Sequence, residues 1–143
     1  MIVNLYTTSL LKHINIGLLR KSLPKDVILS TNTCYTLKEV NAFKHDQGKA
    51  LETVVIPDVK KTNANLVCLE NGVNEATKIA KTPFNLTTKV ALLKKQACRL
   101  VDFAEEIIAN TNCRTVALIK MMPRFDKNVA TDDARKFLSL IHI

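Results

Sequence analysis

The sequence predicts an α/β domain in which a parallel sheet of about four strands lies between layers of helices. Short, nearly continuous apolar runs alternate along the chain with longer segments whose apolar residues recur every three or four positions. The first pattern is typical of strands that are buried on both faces, and the second is typical of amphipathic helices. Because the two patterns alternate, we expect right-handed crossovers and a three-layer α/β/α arrangement.

The first part of the chain is predicted to form a strand, a helix and a second strand. The run "IVNLY" at residues 2–6 is a short strand candidate. From Ser9 onward the apolar residues follow a period near 3.6, which predicts a helix that Pro24 ends. "DVILS" from Asp26 is the second strand candidate, and a polar loop and a weak helix around residues 36–43 follow it.

The remaining elements continue the alternation. "NLVCLE" at residues 65–70 is predicted to be the third strand, because it is short, aliphatic and bounded by Asn and Gly. The clearest helix runs from Leu86 to Ala109, with apolar residues at alternating steps of four and three. "RTVALIKM" from Arg114 is the fourth strand, which Pro123 stops. A last helical segment begins at Thr131, where the threonine is a suitable N-cap.

The chain length indicates a single domain over residues 1–143. After the helix predicted from Thr131 the chain ends on "LIHI", without a final strand-helix unit. We therefore expect a domain that is incomplete at its C-terminus and lacks the last strand-helix unit.

The composition narrows the possible partners. The net charge is +8, but the lysines occur in scattered pairs such as Lys60-Lys61 and Lys94-Lys95. This distribution favours a solvated basic surface over a nucleic-acid partner, although a nucleic acid stays possible. With 5% aromatic residues and no Trp, a platform that stacks bases is not favoured. Neither an apolar membrane span nor a signal peptide is recognisable, so we expect an intracellular protein without a membrane partner.

The cysteines do not have the spacing of a metal site. Cys34, Cys68, Cys98 and Cys113 form no Cys-x-x-C pair, and no histidine lies near any of them. Cys68 lies in an apolar strand and Cys98 on the predicted inner face of the long helix, so we expect buried free thiols and a reducing compartment. No metal and no organic cofactor is implied.

Three short stretches are candidates for chemistry, because ligands of open parallel sheets bind beyond the carboxyl ends of the strands. After the first strand, Ser9 is either a nucleophile or an N-cap. After the third strand, Gly72 and Asn74 are either parts of an oxyanion hole or a turn without a ligand. After the fourth strand, Arg124 and Asp126 either bind substrate or pin the loop by a local ion pair.

"YTTSLLKHI" resembles the nucleophile block of the SGNH (GDSL-type) hydrolases, in which Gly-Asp-Ser-Leu follows the first strand. Ser9 and Leu10 match the Ser-Leu pair of that block, while Thr7 and Thr8 replace Gly-Asp. The resemblance covers most of the chain and implies a flavodoxin-like strand order.

Two further stretches carry the resemblance. "ENGVNEA" is similar to the Gly-x-Asn-Asp block, with Gly72 and Asn74 matching and Glu75 standing where aspartate is usual. "ALIKMMPRFD", which contains Arg124 and Asp126, resembles an SGNH-like group that is associated with mobile elements of invertebrate animals.

The sequence also departs from the family pattern. "STNTCYT", after the second strand, lacks the glycine of the family's second block. The Asp-x-x-His block that supplies the general base is absent: Ser139 stands three residues before His142, where the aspartate would be. His142 is the first candidate for the base, and His13, one helical turn past Ser9, is the second.

The resemblance implies an esterase that acts on a small-molecule ester. Ser9 would attack the acyl carbonyl, Asn74 and the amides of Ser9 and Gly72 would stabilise the oxyanion, and His142 or a histidine from outside this segment would be the base. Two alternatives stay open. One is a catalytically inactive SGNH-like binding module, and the other is a basic nucleic-acid-associated domain of a mobile-element protein. The oligomeric state is left open.

Overall fold

The computed structural model describes residues 1–7, 15–33, 51–70 and 73–119. These residues form a four-stranded, all-parallel sheet with the strand order β2-β1-β3-β4. The strands are β1 (Ile2–Thr7), β2 (Ile28–Thr33), β3 (Leu66–Glu70) and β4 (Thr115–Leu118), and the helices are α1 (Ile16–Ser22), α2 (Leu51–Thr62), α3 (Val73–Ala80) and α4 (Leu86–Asn110). The predicted α/β class is therefore confirmed, and the order is the one with which flavodoxin-like sheets begin.

The connections distribute the helices over both faces of the sheet. The chain moves from β1 to β2 in one direction, and from β2 through β3 to β4 in the other. Since parallel crossovers are right-handed, α1 lies on one face while α2, α3 and α4 lie on the other. None of the helices within the described ranges has the length and apolar character needed to cross a bilayer.

The main core lies between the sheet and two helices. Tyr6 is buried on β1, and Leu69, its register partner on β3, is buried beside it. Around this pair the core contains side chains of α2, β3, α4 and the loops that lead into β3 and β4: Val55, Val59, Ala64, Val67, Phe103, Ile107 and Cys113. Side chains alternate along strands, so the adjacent residues Cys68 and Glu70 point to the opposite face.

The predicted start of the first helix needs correction. Helix α1 begins at Ile16, whereas the apolar period predicted a helix from Ser9. Asn15 is its N-cap: its backbone is extended, and its side chain accepts a hydrogen bond from the Leu18 amide. Helix α1 therefore does not include Ser9. Residues 8–14, the weak helix predicted at 36–43 and the helix predicted from Thr131 lie outside the described residues.

A buried polar network joins β1 to α2 within this core. The Tyr6 hydroxyl donates a 2.6 Å hydrogen bond to Asp58 Oδ2. The Asn4 side-chain amide donates to the Tyr6 hydroxyl at 3.1 Å and to Thr62 Oγ1 at 2.8 Å. Asn4 is completely buried, yet its Oδ1 has no hydrogen-bond partner. The network fixes the position of α2 against β1, while the orphan acceptor subtracts from its stability.

We expect Tyr6→Phe to lower the free energy of unfolding by about 1.5–3 kcal/mol, because the deleted hydroxyl donates to a carboxylate. Asn4→Leu is the matched control. It removes two hydrogen bonds and also removes the orphan acceptor, so we expect a net change within about 1 kcal/mol. Urea unfolding of the two variants measures both values. Equal losses in the two variants would contradict the assigned roles.

Candidate functional site

The connections of the sheet change direction between β1 and β3. The chain leaves β1 toward β2 on one side of the sheet, and it leaves β3 toward β4 on the other. The two connections therefore diverge at the carboxyl ends of these neighbouring strands. This divergence is a topological switch point, the place where open α/β sheets bind their ligands.

The register places the carboxyl ends of β1 and β3 side by side. Thr7, the last residue of β1, is the register partner of Glu70, the last residue of β3. Thr8 alone separates Thr7 from Ser9, and Asn71 alone separates Glu70 from Gly72. Neighbouring strands are about 4.8 Å apart, so both candidate stretches leave the sheet from adjacent positions.

Most of the predicted site residues lie outside the described residues. These are Ser9, Gly72, Arg124, Asp126 and His142. The backbone of Asn74 belongs to the first turn of α3, immediately after the switch point. The sequence had favoured a loop or turn over this stretch and did not predict α3.

Two buried carboxyl side chains, to which the sequence analysis assigned no role, flank the Gly72 and Asn74 stretch. Glu70 is 6% exposed at the end of β3, and Glu75 is 1% exposed in the first turn of α3. Thr7 beside Glu70 is also buried. The dipole of α3 favours negative charge at Glu75, because the unpaired amides of a helix lie at its N-terminus. Glu70 could have been recognised from the sequence, because it is an acidic residue directly at the end of an apolar strand.

Burial also shifts the pKa of two other side chains, Lys78 on α3 and Cys68 on β3. Burial lowers the pKa of the Lys78 ammonium on α3. Burial, and secondarily the charge of Cys113, raises the pKa of the Cys68 thiol. Cys68 thus remains a protonated and poorly nucleophilic thiol, which argues against a thiolate nucleophile on β3.

The expectation of buried thiols is only partly correct. Cys113 is buried and Cys68 is half-buried, but Cys98 is exposed on α4, contrary to the prediction. The core-facing residues of α4 are Phe103, Ala104 and Ile107, and Cys98 lies on a different face. In the described ranges, no three histidine, cysteine, aspartate or glutamate residues are grouped so that they could hold a metal ion.

The basic residues between Ala76 and Val101 are partly engaged within the protein. This stretch contains six lysines and arginines and no acidic residue. The Lys89 ammonium donates to the Ala80 carbonyl at 2.9 Å, and Arg99 pairs with Glu106 at 3.1 Å. Lys78 is half-buried, whereas the remaining three side chains, Lys81, Lys94 and Lys95, are exposed. A nucleic-acid partner therefore stays a prediction.

A polar cavity lies at the opposite end of the sheet, where α2 and α4 end. It has a volume of about 520 Å³, and its lining includes Asn63, Asn110, Thr111 and Asn112. Asn110 and Thr111 donate to the carbonyls of Glu106 and Ile107 respectively. These lining groups therefore terminate α4.

Comparison of the chain with protein-family models, with curated proteins and with solved structures found no match. The SGNH assignment therefore depends on the short stretches around Ser9, Gly72 and Arg124 alone.

Proposed function

We propose that this chain is a serine ester hydrolase domain of the SGNH type, with its active site at the switch point between β1 and β3. The observation that carries the proposal is the register of Thr7 with Glu70. Ser9 follows the first of these residues and Gly72 follows the second, each after one intervening residue. A nucleophile and an oxyanion-stabilising backbone amide are both required within a few ångströms of one acyl carbonyl.

The proposed reaction proceeds through an acyl-enzyme. The Ser9 hydroxyl attacks the acyl carbonyl while a histidine accepts its proton, and the tetrahedral oxyanion receives hydrogen bonds from Asn74 and from the amides of Ser9 and Gly72. The intermediate collapses with release of the alcohol, to which the histidine returns the proton. Water then attacks the acyl group and restores the Ser9 hydroxyl. His142, or a histidine outside residues 1–143, serves as the base.

In this proposal Arg124 and Asp126 bind the substrate. They follow β4, the neighbour of β3, and the carboxyl ends of parallel strands lie at the same edge of a sheet. An arginine there binds a carboxylate or phosphate group of an ester in a bidentate manner. The substrate class that we propose is therefore a small ester with an anionic group.

A catalytically inactive binding module is the second candidate, and the two buried carboxyl groups favour it. Glu70 and Glu75 flank the stretch that supplies the oxyanion donors. Carboxyl oxygens act mainly as hydrogen-bond acceptors, whereas an oxyanion requires donors around it. Under this alternative the crevice binds a ligand but does not hydrolyse it.

The reaction of the protein with a fluorophosphonate separates the two candidates, because this reagent phosphonylates only an activated serine. We expect mass spectrometry of the intact chain to show one added phosphonyl group, and peptide mapping to assign it to Ser9. Heat-unfolded protein is the control, since its serine hydroxyls are not activated. A folded chain that remains unlabelled while the crevice still binds a ligand would establish the inactive module.

A further inference from the structure

Helix α4 carries a second apolar surface beside the one that faces the core. Its buried residues are Phe103, Ala104 and Ile107. Each residue turns the helix by about 100°, so that five exposed apolar residues share an arc of about 60°. We call them the exposed α4 face: Leu86, Val90, Ala97, Val101 and Ile108. The four large side chains among them are between 37% and 55% exposed, so neither α2 nor α3 covers them.

The charged residues of α4 are separated by sign along the helix. All the basic residues precede all the acidic ones: Lys89, Lys94, Lys95 and Arg99, then Asp102, Glu105 and Glu106. This order opposes the helix dipole, which favours anions near the N-terminus of a helix and cations near its C-terminus. A single helix therefore gains nothing from the order, whereas two such helices that lie side by side in opposite directions bring unlike charges together.

Lys94 and Glu105 flank the exposed α4 face, and both lie on the same side of it. Both side chains are exposed, and neither has an ion-pair partner among the described residues. The other charged residues of α4 lie at least about 90° from the centre of the face around the helix: Lys89, Lys95, Arg99, Asp102 and Glu106. The face thus has one basic and one acidic side chain at its border, on different halves of the helix.

We propose that the exposed α4 face is the interface of a homodimer, in which α4 of a second copy packs against it in the antiparallel direction. A two-fold axis beside Arg99 places Val90 opposite Ile108 of the second copy. The same axis places Ala97 opposite Val101 of the second copy. A two-fold interface is self-complementary, so each of these apolar contacts occurs twice.

The charges at the border of the face agree with this arrangement. The axis that aligns the apolar residues also brings Lys94 to within one residue, about 1.5 Å along the helix, of Glu105 of the second copy. A parallel pair would instead place like charges beside each other, which is destabilising. A membrane surface is a poorer occupant, because anionic lipids repel the carboxylate of Glu105. The charge pattern therefore favours a second copy of this chain.

The contact between the two helices is small, so the dimer is weak. From Val90 to Ile108 it extends over about 27 Å of helix. A single pair of helices belongs to the small class of protein interfaces, and we expect a dissociation constant on the order of 10 µM. Unfolding measured at about 1 µM chain therefore reports on the monomer. The dimer does not depend on the proposed ester hydrolysis.

Sedimentation equilibrium of the full chain, from about 1 to 300 µM, tests the interface. We expect a reversible dimer, and we expect Val101→Asp to raise its dissociation constant at least about tenfold, because the variant places a carboxylate in the apolar contact. Ala91→Asp is the matched control. It adds the same charge at an exposed position of α4 outside the face, and we expect no change. Unchanged far-UV circular dichroism shows that either variant is folded.

Charge reversal tests the direction of the two helices. We expect Lys94→Glu and Glu105→Lys each to raise the dissociation constant at least about threefold, and the double variant to return it to within about twofold of the unmodified value. A double variant that is no better than the single ones would overturn the antiparallel arrangement. A chain that stays monomeric at about 300 µM would overturn the dimer. So would a dimer that Val101→Asp leaves intact, or a monomer that binds anionic vesicles through this face.

Discussion

Replacement of Ser9 by alanine is expected to lower the rate of p-nitrophenyl acetate hydrolysis at least about a thousandfold. Loss of the nucleophile of a serine hydrolase removes the acyl-enzyme pathway and leaves only the oxyanion donors and substrate binding. The rate per mole of protein, corrected for hydrolysis in buffer, measures the effect. Because p-nitrophenolate is a good leaving group, the assay detects nucleophilic attack even where protonation of the leaving group is inefficient.

Ser22→Ala is the matched control for this variant. Ser22 lies at the end of α1, where its hydroxyl donates to the Leu18 carbonyl, and it is exposed. The same deletion there is expected to leave the rate unchanged. Equal rates in Ser9→Ala and the unmodified protein would contradict the esterase proposal, and the inactive binding module would then be the better account.

His142→Ala tests the candidate base. If His142 is the base, the variant loses activity to nearly the level of Ser9→Ala. Ester hydrolysis that continues in this variant but not in Ser9→Ala would assign the role of the base to another histidine.

The strands and the long helix could be predicted from local sequence patterns. Strands that are buried on both faces appear as continuous apolar runs, and the long helix has apolar residues at a regular helical period. The apolar runs placed all four strands, and the steps of four and three placed α4 to within one residue at its C-terminal end. Helix α2 was missed for a physical reason. It contains the run Val54-Val55-Ile56 followed by Pro57, which by propensity favours strand and then a break.

Tertiary packing overrides that propensity in α2. Val55 and Val59, four residues apart, are buried against the sheet. Pro57 lies between them on the exposed side, so its ring does not enter the core. The i, i+4 spacing of the two valines indicated a helix, but Pro57 indicated a break more strongly.

The candidate site was only partly accessible from sequence, because it depends on register. That Ser9 and Gly72 each follow a strand is a local observation. That Thr7 and Glu70 are partners at adjacent strand ends is a property of the assembled sheet. Likewise, the burial of Glu75 follows from the packing of α3. This helix was not predicted, because the Gly-Val-Asn stretch was interpreted as a turn.

Ile107→Ala is expected to lower the free energy of unfolding by about 2–5 kcal/mol, which is a large part of the total stability of a domain of this size. Ile107 is completely buried in the core between α4 and the sheet, with Phe103 one turn before it. Truncation leaves a cavity that the flanking strands and α2 cannot fill without moving the network around Tyr6.

The neighbouring Ile108 provides a control of the same residue type on the same helix. Its side chain is 45% exposed, on a different face of α4 from Ile107. We expect Ile108→Ala to change the stability by less than about 1 kcal/mol, because alanine is the better helix former and little apolar contact is lost. Urea unfolding of the pair measures the difference. Equal losses would mean that α4 presents a different face to the sheet.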